Sequence, residues 1–69
     1  MNTGIIKMYN IRKGIGFITD DKSKLLVFIQ DAHIVDADKK LKEGDVVKYD
    51  IKETDMGPAA RLVKRIVAI

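Results

Sequence analysis

The run Lys13-Gly14-Ile15-Gly16-Phe17-Ile18 limits the fold more than any other part of the chain, with Val27-Phe28-Ile29-Gln30 following a short turn later. Glycine weakens a strand interior and marks a bend, a bulge or a close backbone approach. A strand alternating glycine with large apolar residues therefore fills a core poorly. Two readings follow. The glycines permit a sharp bend in a small barrel, or they leave a flat, open face. A bent strand can do both. With a lysine in front and an aromatic strand behind, such a face suits the bases and phosphates of single-stranded nucleic acid.

Around this run the apolar pattern predicts four more strands. Residues 4–10 contain Ile5-Ile6-Lys7-Met8-Tyr9, and 14–19 is the glycine-alternating segment. Asp20-Asp21-Lys22-Ser23-Lys24 is a polar turn of the kind that joins antiparallel strands. Residues 25–30 follow, and then a long connection in which Ala32-His33-Ile34 is expected to make a helical turn. In 45–54 the pattern alternates, predicting Val47, Tyr49 and Ile51 on a buried face and Lys48, Asp50 and Lys52 outside. After the turn Asp55-Met56-Gly57-Pro58, residues 59–67 make the last strand. Five short strands cannot form two full sheets. Closing them into one five-stranded antiparallel barrel removes exposed edges, so an all-β barrel is expected.

At 69 residues the chain is read as one domain spanning 1–69, near the lower limit for a self-sufficient core. Its 46% apolar and 33% charged residues fit a folded chain and not a disordered one. The absence of cysteine excludes a disulfide framework and a cysteine-based zinc site. No apolar run approaches a membrane span and no basic-then-apolar leader opens the sequence, so cytoplasmic residence is expected. The net charge of +3 is too small for binding by charge alone. Its distribution is uneven: Lys7, Arg12 and Lys13 cluster early, and Arg61, Lys64 and Arg65 cluster late. A phosphate-attracting face is expected where the two chain ends meet.

The order of these segments resembles the bacterial cold-shock proteins over nearly the whole chain. Their opening Gly-x-Val-Lys-Trp-Phe-Asn stands here as Gly4-Ile5-Ile6-Lys7-Met8-Tyr9-Asn10. The first RNA-binding motif, Lys-Gly-Phe-Gly-Phe-Ile, is Lys13 to Ile18, and the second, Val-Phe-Val-His, is Val27 to Gln30. Leu41-Lys42-Glu43-Gly44 and Gly57-Pro58-Ala59-Ala60 match the family's Leu-x-x-Gly and Gly-Pro-x-Ala. The resemblance implies a barrel of the oligonucleotide-binding (OB) type. It also implies RNA-chaperone-like binding of single-stranded RNA or DNA, pyrimidine-rich by preference, on aromatics of the first three strands. No cofactor, metal or small-molecule substrate enters that mechanism.

On this basis Phe17 and Phe28 are the expected stacking platforms, with Tyr9 at the same face. Lys7 and Lys13 are the expected phosphate contacts, Asn10 and Gln30 the hydrogen-bonding groups, and Met8 and Ile15 apolar supports. Where the family carries tryptophan this chain has Met8, and where it carries phenylalanine Ile15. Gln30 replaces a histidine, Asp31 a phenylalanine, Leu26 an aspartate and Met56 a basic residue. Stacking one base on an aromatic is worth about 1–3 kcal/mol. The lost platforms and the repulsive Asp31 together remove about 3–5 kcal/mol, roughly two to four decades of affinity. A weak binder with RNA favoured is the expectation.

The alternative is a divergent barrel whose patch of Met8, Ile15, Phe17 and Phe28 binds a protein or a second copy of the chain as a weak homo-oligomer. Residues 66–69 are expected to pack on the barrel. An enzyme is not expected. His33 is the sole histidine and is read as structural or exposed, and Ser23 has no base placed to activate it. Asp20-Asp21 lacks the extra oxygen ligands of a calcium loop. Tyr49 is assigned to the core and Tyr9 to the surface, because Tyr9 shares the alternating face of Lys7.

Overall fold

A computed structural model describes residues 1–35 and 41–66, so the expected packing of 67–69 on the barrel lies outside the described residues. The five expected strands are present: β1 (Asn2–Asn10), β2 (Ile15–Asp20), β3 (Leu26–Gln30), β4 (Val46–Thr54) and β5 (Gly57–Arg65). A 3-10 turn, Asp31–His33, follows β3 where a helical turn was expected.

The strands close into a barrel in the order β1-β2-β3-β5-β4. The expectation of a wholly antiparallel barrel fails on geometry. Directions cannot alternate all the way around a ring of five, so at least one neighbouring pair must run parallel. That pair is β3 and β5, in register only at Phe28 and Ala59. Beyond it the seam is continued by an Ile34–Val63 bridge and the Val35 N–H donating to Val63 O at 2.8 Å. The closure has the fewest register pairs of any seam, one, whereas β4 and β5 share seven.

Inside lie Ile6, Ile18, Val27, Ile29, Ile34, Leu41, Val47, Tyr49, Ala60 and Val63. Most are β-branched or aromatic residues that suit a pleated, half-buried strand. Fully burying one such aliphatic chain is worth about 1.5–3 kcal/mol, which explains how so short a sequence holds a core. Tyr49 is fully buried, as alternation predicts, but Ile51 is 37% exposed. From Ile51 to Thr54 every residue of β4 is exposed, although the register partner of Ile51, Ala60, is buried, so the core ends at that pair. Ile66 is also exposed, although its N–H donates to Val46 O at 2.7 Å.

The glycine of β2, Gly16, faces inward and leaves Ile15 and Phe17 outside. A Cβ on Gly16 would lie 2.3 Å from Met8 O and 2.8 Å from Tyr9 Cα. Those are backbone atoms, so any side chain at Gly16 forces β1 and β2 apart. Both readings of the run hold together: the close approach of β1 demands glycine, and the intervening large residues are thereby turned outward.

Beyond Ile18 the interior becomes polar. Asp20, at the end of β2, is 2% exposed and accepts a hydrogen bond from the Tyr49 hydroxyl. Its other oxygen accepts from Ser23 N at 3.0 Å, Ser23 Oγ at 3.1 Å and Lys22 N at 3.2 Å. Asn2 Nδ2 adds a longer bond of 3.4 Å. These donors, the Ser23 N–H first and the Tyr49 hydroxyl next, outweigh desolvation and lower the Asp20 carboxyl to about 2. The polar turn therefore winds around a buried carboxylate instead of standing in solvent.

Candidate nucleic-acid interface

Three rows of side chains cross the outer face of β1, β2 and β3. One runs Ile5, Thr19, Leu26, the next Met8, Phe17, Phe28, and the third Asn10, Ile15, Gln30. The middle row is the most aromatic. Phe17 and Phe28 meet edge to face, with ring centroids 5.8 Å apart and planes at 62°. Both rings are half-buried. Met8, 42% exposed, extends the row on one side, and Ile15, 37% exposed, stands beside Phe17.

Met8 reaches this row because β1 is bulged. Between Ile6 and Met8 the pairing slips, so that two steps along β1 oppose one step, Ile18 to Phe17, along β2. The extra residue is Lys7, which leaves both Lys7 and Met8 exposed. The same slip reverses the phase of everything after it. Tyr9, placed on the surface by strict alternation, instead packs partly buried against the core, its ring over Gly16. Burial first, and the charge of Asp31 second, raise its phenol pKa.

Asn10 has a local task. Its side-chain oxygen accepts the Lys13 N–H at 3.0 Å and its carbonyl accepts the Gly14 N–H at 2.8 Å, fixing the turn between β1 and β2. Lys7 and Lys13 are both exposed, one on the bulge and one on that turn. Gly14 is in the left-handed region at φ 70°, and a Cβ there would meet the Asp31 carboxyl carbon at 2.6 Å. The Asp31 carboxylate thus rests over Gly14, near Tyr9.

On the other side of the rings the barrel opens into a groove of about 790 Å³. Phe17, Phe28 and Gln30 form one wall, and Lys52, Thr54, Met56, Pro58, Ala59 and Arg61 of the β4–β5 hairpin the other, with His33 at one end. Met56, at the hairpin tip, is 99% exposed. The Thr54 hydroxyl donates to Gly57 O at 2.7 Å and accepts the Met56 N–H at 3.2 Å, which sets this tip. Groove and parallel seam coincide, since Phe28 and Ala59, the one register pair of β3 with β5, both line it.

Three of the nine expected site residues, Phe17, Phe28 and Gln30, line the groove. Met8 and Ile15 continue the same face, while Lys7, Tyr9, Asn10 and Lys13 lie around its β1 end. The hairpin wall was missed by sequence reasoning. The late basic cluster pointed toward it but divides: Arg61 lines the groove, whereas Arg65 approaches Asp45 at 3.9 Å. Asp31 is not among the lining residues, so the repulsion expected from it falls beside the groove. Among the described residues no group of three or more His, Cys, Asp or Glu could hold a metal ion, and no helix is long and apolar enough to cross a membrane.

Comparison with known proteins agrees with this geometry. The chain is 39% identical to a cold shock-like protein of Thermotoga maritima over 61 residues, covering 88% of this chain and 92% of that one. It is 39% identical over 66 residues to the cold shock protein CspA of Staphylococcus aureus, covering 93% and 98%. In fold it is similar to the solved Drosophila Unr CSD456, with a TM-score of 0.80 at 17% identity. That match takes in 96% of this chain and about a quarter, 26%, of the other. A family model described as the 'Cold-shock' DNA-binding domain matches residues 2–66. The chain belongs to that family.

Proposed function

We propose that this protein binds single-stranded nucleic acid, RNA foremost, on the outer face of β1–β3 and in the groove between that face and the β4–β5 hairpin. The observation that carries the reading is the Phe17–Phe28 pair, set edge to face at a groove whose far wall is cationic. A base laid on each ring is stabilised by about 1–3 kcal/mol regardless of its identity. Met8 and Ile15 supply apolar contact without a π-face, so affinity is lower than aromatics there would give. Gln30 offers both a donor and an acceptor to a base edge. Lys7 and Lys13 at one end, and Lys52 and Arg61 across the groove, meet backbone phosphates.

Such a site holds unpaired strands open, which is the physical content of chaperone-like action on RNA. Pyrimidine-rich strands are favoured because they unstack at least cost. Residues 1–69 act as one unit in this reading, in the cytoplasm, with no chemical step and no cofactor.

Titrating a labelled oligo-uridine with the protein at low and moderate salt tests it. Saturable binding is expected, with log affinity falling by about 0.7 per phosphate contact for each unit of log salt. Phe17→Ala and Phe28→Ala should each lower affinity about 5- to 150-fold, the equivalent of 1–3 kcal/mol. Absence of binding together with concentration-dependent self-association would replace this reading with a protein-contact role for the apolar face.

A further inference from the structure

Among the side chains lining the groove, the stacking picture gives no part to the histidine. His33 closes the 3-10 turn after β3, is exposed, and lines the groove together with Phe28, Gln30, Lys52 and Arg61. It is the only histidine in the sequence. We infer that His33 is a nucleic-acid contact that completes the cationic wall, its imidazolium joining Lys52 and Arg61 against a backbone phosphate of a strand stacked on Phe28. This inference rests on the nucleic-acid reading of the groove and adds a residue and a dependence to it.

The chemistry of the position is specific. An imidazole exchanges between neutral and cationic forms inside the physiological range, and both ring nitrogens donate when it is charged. The charged groups around it are few. Asp31 lies two residues earlier on the same turn, with its carboxylate against Gly14. From β5 comes Arg61, paired in register with Asp50 of β4, and from β4 come Lys52 and its neighbour Glu53. β3 contributes the neutral Gln30. Side chains of these other types titrate outside pH 5.5–8. Met1 sits beside Asn2 and Asp20, away from the groove. A change in strand affinity across pH 5.5–8 therefore reports on His33.

Oligo-thymidine is the suitable probe, because its bases do not titrate in this range. Affinity should rise about 3- to 10-fold between pH 8 and pH 5.5 at low salt, and the salt slope should steepen by about 0.7, the signature of one added phosphate contact. His33→Gln should abolish both changes, its affinities and salt slopes at pH 8 and pH 5.5 agreeing with each other. His33→Arg should bind at pH 8 as tightly as the unaltered protein does at pH 5.5. A pH profile shared by the unaltered protein and His33→Gln would overturn the inference while leaving the nucleic-acid reading in place. Absence of salt-sensitive binding at either pH would overturn both.

Discussion

The two ends of β2 treat their side chains in opposite ways. At its Asp20 end a carboxylate is sealed from solvent, and each of its oxygens is taken up by donors from Asn2, Lys22, Ser23 or Tyr49. At its Ile15–Phe17 end glycine occupies the inside, and the large apolar groups that an ordinary strand would bury stand outside. One end spends a polar residue on stability, and the other leaves apolar area available for contact. A few residues of one strand can thus separate the part of a small domain that holds it together from a part that leaves apolar area exposed.

The largest effect that would break this contrast belongs to the closed end. Asp20→Ala leaves the Tyr49 hydroxyl and the turn N–H groups without their acceptor, and should cost about 3 kcal/mol in urea unfolding. Oligonucleotide affinity of the folded protein should not change. The same carboxylate predicts an acid limb. Its folded-state value, about 2, lies below the ordinary 3.8. Its stabilisation is therefore complete above about pH 4 and fades as pH falls toward 2, a loss of about 2 kcal/mol. Asp20→Ala should lack that part of the acid response. An equal response in both proteins would place the acid sensitivity elsewhere.

A smaller effect sharpens the contrast at β5. Leu62 is exposed at φ 53°, in the left-handed region that costs a β-carbon residue roughly 1–2 kcal/mol and that asparagine tolerates better. It occupies the pairing irregularity between β4 and β5 and does not line the groove. Leu62→Asn should stabilise the barrel by about 1 kcal/mol by urea titration and leave strand affinity unchanged. A lost affinity would mean that the binding face extends past Arg61.

The strands were legible because the period-two pattern is strong in Val27-Phe28-Ile29 and Val47-Lys48-Tyr49, and because Gly-Pro and Asp-rich turns separate them. The bulge at Lys7 was not legible, since nothing in Ile5 to Asn10 marks where pairing slips. That single extra residue moved Tyr9 inward. Asp20 looked like a turn residue because its partners Tyr49 and Asn2 are remote in sequence. The hairpin wall escaped notice for a topological reason. An all-antiparallel ring leaves no loosened seam, whereas five strands require one, and the groove opens at it beside Phe28 and Ala59. The family's order of motifs supplied the fold and the two rings, but not the side of the rings on which the groove lies.

The most direct measurement is an NMR titration of the labelled protein with a short oligo-thymidine at pH 7. The account predicts that amide shifts concentrate at Met8, Ile15–Phe17, Phe28–Gln30 and the hairpin from Lys52 to Arg61, with Asp20, Ser23 and Tyr49 still. Shifts centred on the Asp20 end, or spread evenly over the lysines without the two phenylalanines, would contradict it.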